Sequence, residues 1–168
     1  MVKYLKPALV FVALIVLSVI VFSFFREESP EKQIKKQLTI FFTNASKPSG
    51  EKATTAFLKS KAIEKLFTPR CKVEIGVSSF SGNYTPIQIS ANSMRYRMFF
   101  KCAKLAIHDV EINLKSPSTA SVDCTGSLSA TNKRGESIRQ HRDLTFNFEL
   151  IENKWLIRSI SVRKIIKR

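Results

Sequence analysis

Histidine and acidic residues are scarce in this chain. Its 168 residues hold two histidines and thirteen Asp or Glu, against 28 Lys or Arg. The two histidines, His108 and His141, and the three cysteines, Cys71, Cys102 and Cys124, are scattered along the sequence. A metal centre would need distant strands to bring them together, so none is expected. The cysteine count is odd and no pair has the CxxC spacing of a zinc or redox site. Small buried thiols are the expected reading, with one disulfide and a spare thiol as the alternative. Glycine is also sparse, with five residues. No phosphate-binding loop or dinucleotide pattern can be assembled from them. The stretch Gly76-Val77-Ser78-Ser79-Phe80 lacks the second glycine of a nucleophile elbow. No cofactor is implied, and neither internal repeats nor low-complexity tracts are present.

What the sequence does have is one long apolar run. Pro7 to Phe25 is nineteen residues without a charge, preceded by Lys3 and Lys6 and closed by Arg26. As a helix it would span about 28 Å, close to the ~30 Å hydrocarbon core of a bilayer. It exceeds the ~7–15 apolar residues of a cleaved signal, and bulky Phe24 and Phe25 follow the only passable cleavage site. The expected organisation is a short tail (1–6), a transmembrane anchor (7–25), a linker (26–29) and one domain (30–168). The lysine-bearing tail resembles a signal anchor, which would place the domain outside the cytoplasm. Counting Lys and Arg near the run, with Lys32, Lys35 and Lys36 beyond it, points the other way. The outside placement is expected because folded domains translocate largely regardless of charge.

Residues 29–168 carry 25 Lys or Arg against 11 Asp or Glu, an excess of fourteen positive charges. That balance attracts anionic surfaces such as lipid headgroups, nucleic acid or acidic proteins. Basic groups fall at Lys32/Lys35/Lys36, Arg95/Arg97, Lys133/Arg134 and in the tail containing Arg163, Lys164, Lys167 and Arg168. No pattern of an RNA- or DNA-reading module accompanies them, so nucleic acid is not the expected partner. Lys32, Lys35 and Lys36, and then the Arg163–Arg168 tail, are the expected contacts to a membrane or an acidic partner.

Patterning predicts an α+β domain. Ser29-Pro30-Glu31 reads as a helix start, followed by Ile34, Leu38, Phe41 and Phe42 at helical spacing. A second helix is expected over 51–67, with Ala56, Ile63 and Phe67 on one stripe. A strand is expected over 71–77 and a loop over 79–84. Thr85-Pro86 begins a third helix with the stripe Ile87, Ala91, Met94 and Met98. Alternation then predicts strands at 103–114, 119–131, 137–151 and 155–165, joined by short turns as an antiparallel meander. One face gathers Val110, Ile112, Leu114, Val122, Cys124, Leu128, Leu144, Phe146, Phe148 and Leu150. The other carries Ser121, Asp123, Thr125, Ser127, His141 and Asp143. A parity change between Trp155/Ile157 and Ile160/Val162 predicts a bulge near Ser159.

The order helix, helix, strand, helix, meander resembles the nuclear transport factor 2-like superfamily, in its SnoaL-like, cystatin-like bacterial branch. Lys65-Leu66-Phe67, Ser81-Gly82-Asn83-Tyr84 and the Asn153-Lys154-Trp155 hairpin carry the resemblance, which covers about residues 30–165. It implies a cone, a strongly curved antiparallel sheet wrapped on three helices, with an apolar pocket at its open end and room for a small apolar ligand. A membrane-anchored bacterial member would sit in the inner membrane. Enzymes, ligand binders and assembly proteins share such a cone, so fold does not choose the function. Members often carry an acid just after the second helix. Here Thr68-Pro69-Arg70-Cys71-Lys72 has none, which counts against carboxylate chemistry. Parity puts His108 with Val110 and Ile112, so His108, Tyr84, Gln140 and Arg142 are the pocket candidates. The expected function is a membrane-anchored, non-catalytic binding or assembly module, with an isomerase- or dehydratase-like pocket enzyme as the alternative.

Overall fold

The computed structural model describes residues 28–76 and 81–163. The expected anchor at 7–25 and the tail residues Lys164, Lys167 and Arg168 lie outside them. Among the described residues no helix is long and apolar enough to cross a membrane.

Three helices, α1 (Pro30–Ala45), α2 (Ala53–Glu64) and α3 (Pro86–Phe99), pack on six strands, β1 (Phe67–Ile75), β2 (Gly82–Tyr84), β3 (Phe100–Ser116), β4 (Thr119–Asn132), β5 (Ser137–Ile151) and β6 (Lys154–Arg163). The sheet order is β2-β1-β6-β5-β4-β3. The expected antiparallel meander is β3 to β6. The sheet as a whole is mixed, because β1 joins β6 in parallel. Gly82–Tyr84, expected as loop, pairs antiparallel with Cys71–Val73 at the sheet edge.

α1 begins at Pro30 with Glu31 in its first turn, as the dipole favours, although the Ser29 hydroxyl makes no capping bond. Ile34, Leu38 and Phe42 are buried, and Lys32, Lys35 and Lys36 are exposed on the other side. α2 ends at Glu64, three residues before the expected stop. The chain must leave the helix there so that Leu66 and Phe67 can enter the core, where Leu66 accepts the Ile157 N–H at 2.7 Å. Thr85 opens α3 with a reciprocal cap: its Oγ1 accepts from Gln88 N and Gln88 Oε1 accepts from Thr85 N.

The core is aromatic. Trp155, Phe146 and Phe148 are essentially sealed from solvent. Leu114, expected on the same inward face, is instead exposed near the end of the edge strand β3. Phe41 meets Phe42, Phe67 and Phe146 edge-on at 5.3–6.0 Å, a geometry that adds to area burial. Across the sheet the opposite face satisfies itself: Thr145 donates to Asp123 at 2.6 Å and Asn147 to Ser159 at 2.9 Å, each pair directly opposed in register.

The third helix does not use its expected stripe. Ile87 and Met98 are about two-thirds exposed, and the buried residues are Ser90 and Arg97. The cause is a buried ion cluster. Arg97, 2% exposed, donates to Glu51 Oε2 and to the Asn44 and Ser46 carbonyls. Lys59 Nζ sits 3.0 Å from Glu51 Oε1, an ion pair without hydrogen-bond geometry. Lys47 Nζ donates to the carbonyls of Arg97 and Phe100, which the end of α3 leaves without helical partners. Arg97 therefore belongs to the core and not to the basic surface expected at Arg95/Arg97.

Register shifts interrupt three of the ladders, and two of these shifts bear on the expected strand parity. Asn147 pairs with Ser159 but Phe148 with Ile157, so Arg158 is the extra residue, beside the expected site at Ser159. In β3, His108 pairs with Thr125 and Glu111 with Asp123, which inserts one residue at a position where Asp109 takes φ 53°. Asp is among the few residues that tolerate this left-handed region.

All three cysteines are free thiols, and no disulfide links them. Burial pushes the Cys71 thiol up to about 12, and burial plus the Asp123 charge pushes Cys124 up to about 11. Cys102 is only half-buried.

Four outcomes are expected. Phe146→Ala or Phe148→Ala should cost about 3–5 kcal/mol in denaturant unfolding, and Thr145→Ala, one residue away on the other face, under about 1 kcal/mol; similar losses at 145 and 146 would contradict the register. Glu51→Gln and Arg97→Met should each cost about 3–5 kcal/mol by stranding a buried partner, and the double variant should cost much less than their sum. A neutral-pH thiol reagent should label Cys102 in the native protein and the other two only on unfolding. Because the folded state holds Cys71 and Cys124 protonated, their stabilisation is whole below the ordinary thiol value of 9.0 and is lost as pH climbs toward 11–12. The melting temperature should accordingly fall over that window.

Candidate functional site

Along β5 the inward residues run Phe148, Phe146, Leu144, Arg142, Gln140. The first two fill the cone. Beyond them the helices withdraw, and a cavity of about 580 Å³ opens. Its apolar lining is Phe42 of α1, Ile75 of β1, Leu105 of β3, Leu128 of β4, Leu144 of β5 and Val162 of β6. Gln140 and Arg142 line it as well. Gly126 is opposite Arg142 in the ladder. A Cβ at Gly126 would lie 2.5 Å from Leu144 Cδ1, so glycine is what lets Leu144 lean against β4. Arg142 is half-buried, and Nη1 reaches the His141 carbonyl at 3.3 Å. Among the described residues no carboxylate lies within ion-pairing distance of it.

Arg163, expected on a lipid- or partner-facing surface, is exposed at the end of β6 and borders this cavity. In the ladder it is opposite Asp143, on the outer side of Val162 and Leu144.

A second cavity of about 510 Å³ lies between β1, β2 and α3. Val73, Ile75, Tyr84, Ile89, Asn92, Arg95, Tyr96 and Phe99 line it, and Ile75 is common to both cavities. The Tyr96 hydroxyl is buried without a hydrogen-bond partner, and burial pushes it up to about 12 against the lowering pull of Arg97. Tyr96 was not singled out from sequence. Its signal was its place one residue before Arg97, which the expected α3 stripe left outside the core.

The four pocket candidates therefore separate. Gln140 and Arg142 share the first cavity, and Tyr84 lines the second. His108 lines neither. It is exposed on the outer face, with Nε2 3.3 Å from Ser127 Oγ. The β3 bulge at Asp109 is the physical reason: the inward set is Leu105 and Ile107 before it and Val110 and Ile112 after it. Parity counted back from Val110 thus puts His108 on the wrong side.

Neither cavity has an Asp, Glu or His in its described lining. Residues 77–80 and 164–168, which lie outside the described residues, contain no Asp, Glu or His in sequence. Among the described residues no group of three or more His, Cys, Asp or Glu converges to hold a metal ion. The site can enclose an apolar body and donate hydrogen bonds. Among its described lining residues there is no carboxylate or imidazole to act as a general base.

No family model and no curated protein matches this sequence. Solved structures do. A protein of Caulobacter vibrioides with a cystatin-like fold superposes with TM-score 0.60 at 17% identity, over 82% of this chain and 92% of that one. A candidate dehydratase of the nuclear transport factor 2-like family from Streptomyces avermitilis gives 0.63 at 13% identity, over 81% and 96%. A candidate scytalone dehydratase from Novosphingobium aromaticivorans gives 0.66 at 10% identity, over 79% and 82%. At such identities the likeness is one of fold: this chain has the cystatin-like, nuclear transport factor 2-like cone.

Proposed function

We propose that this protein is a membrane-tethered, non-catalytic binding module whose cone holds a small apolar ligand and whose basic domain works against an anionic lipid surface. The observation that carries the non-catalytic part is the lining of the cavities, which offers amide, guanidinium, hydroxyl and phenol groups but no carboxylate or imidazole. Isomerisation or dehydration by proton abstraction needs a base within hydrogen-bond reach of the substrate. The dehydratase names among the structural neighbours keep a pocket enzyme as the competing reading. The exposed position of His108 leaves that reading without its proposed base.

The tether rests on the nineteen-residue uncharged run at 7–25 and its lysine-bearing start. Only residues 26–29 separate it from α1, on which Lys32, Lys35 and Lys36 are exposed. A cationic side chain this close to an anionic bilayer contributes about 1 kcal/mol, an effect that fades within a Debye length of ~8–10 Å. Three such lysines beside the anchor therefore outweigh distant charge. In this reading the protein sits in a bacterial inner membrane with its domain outside the cytoplasm, and an acidic protein is the alternative partner.

Alkaline carbonate washing should leave the full chain in the membrane pellet. A C-terminal phosphatase that needs an oxidising compartment should be active; an inactive phosphatase together with a fluorescent cytoplasmic reporter would reverse the topology. The full chain in neutral nanodiscs should capture anionic vesicles but not neutral ones, less at physiological than at low salt. Changing Lys32, Lys35 and Lys36 to Glu should reduce capture several-fold with circular dichroism unchanged. Indifference to anionic vesicles even at low salt would replace lipid with an acidic protein.

A further inference from the structure

Resting on the ligand-binding reading above, we infer that the first cavity takes an apolar molecule with a single carboxylate head, held by Arg142 and Gln140. The ladder register sets the levels of the site. Cys124, Leu144 and Val162 form one row across β4, β5 and β6, directly above the row of buried Val122 and Phe146 with half-buried Ile160. The next row outward is Ile107, Gly126 and Arg142, and the one after is Leu105, Leu128 and Gln140. Inward residues on one strand are about 7 Å apart. A ligand resting on Leu144 and Phe42 thus meets a guanidinium one step up and an amide two steps up; the rest of those two rows is aliphatic or glycine, and Ser127 and the exposed Arg163 border the cavity from the neighbouring positions.

This arrangement sorts ligands by charge. Arg142 offers five donors in a planar fork that matches a carboxylate. One donor is used, on the His141 carbonyl. No protein carboxylate among the described residues competes for the others, whereas the chain's other inward arginine, Arg97, is paired with Glu51. Gln140 can donate to the same head group. A cationic ligand would face an uncompensated like charge in partly desolvated surroundings, and a neutral one would forgo the charge-assisted bonds. The ~580 Å³ cavity falls within the range of sites that enclose small ligands.

The test is calorimetric titration of the full chain, in nanodiscs of neutral phosphatidylcholine, with 5-(2-naphthyl)pentanoate, its methyl ester and the matching trimethylammonium compound, empty nanodiscs being subtracted. The acid should bind at least about tenfold more tightly than the ester, the scale of a charge-assisted hydrogen bond, and the ammonium compound least. Arg142→Gln should erase the acid's advantage over the ester, weakening the acid far more than the ester, while Arg142→Lys should retain part of that advantage. Leu128→Trp, which fills the apolar wall and leaves Arg142 in place, should weaken acid and ester alike. Equal binding of acid and ester, or an advantage that survives Arg142→Gln, overturns the carboxylate assignment while leaving an apolar binding cavity. Binding of neither compound overturns both this inference and the ligand-binding reading, and the membrane tether is judged separately by carbonate washing.

Discussion

The fold turns on one buried charge. Glu51 sits at the approach to α2 with its carboxylate sealed from solvent, and Arg97 comes from the last turn of α3 to meet it. The same guanidinium gathers the Asn44 and Ser46 carbonyls at the end of α1, and Lys47 returns to cap the end of α3. Three chain segments are thereby fixed to one another by charge-assisted bonds. Such a pair is a poor source of net stability, because desolvating two ions offsets much of their attraction. Its effect is geometric. One rotation of α3 lets Arg97 reach Glu51, and that rotation also turns Tyr96 toward β1, leaves Ile87 and Met98 outside, and sets the exposed Phe99 at the rim of the second cavity. The second cavity is a consequence of where one arginine had to go.

Curvature supplies the first cavity. Extra residues in β3 and one in β6 sharpen the bend of the sheet, and the cavity lies between its far end and Phe42 of α1. Phe146 and Phe148 close the near end. At the far end Leu144 fills the place a side chain at residue 126 would take, and no bulky group replaces it at the Arg142 level. The hollow follows from side-chain size along β5, which shifts from phenylalanine to leucine and then to polar residues.

The regular parts of this architecture were legible as alternation. Val122/Cys124, Phe146/Phe148 and the inward setting of Gln140 and Arg142 follow from period two along unbroken strands, and the β6 bulge announced itself because both of its flanks are apolar. The β3 bulge did not. Asp109 in a left-handed conformation looks like any polar residue in an alternating run, so His108 was assigned to the wrong face. The α3 stripe failed for a different reason. A hydrophobic-period argument cannot see a packing face made of Ser90, Ser93 and Arg97, because the partner that makes Arg97 buriable lies 46 residues away at Glu51. Long-range polar pairing is what local patterning leaves out.

The same limit separates the two uses of positive charge in this chain. An excess of fourteen cations is a property of composition, and it sets up an attractive field for any anion that comes near. That field is screened over ~8–10 Å at physiological salt, so most of those lysines and arginines act on encounter and not on the bound state. Arg142 is different because it borders an apolar cavity, where water is partly displaced and a fixed cation is weakly screened. Salt should slow capture by the surface far more than it loosens a head group already seated on Arg142. The exposed lysines of α1 and the half-buried Arg142 of the first cavity are thus physically separable, although both answer to negative charge. A lipid-facing surface and an acid-binding cavity can coexist on one small domain because screening keeps the first from deciding the second.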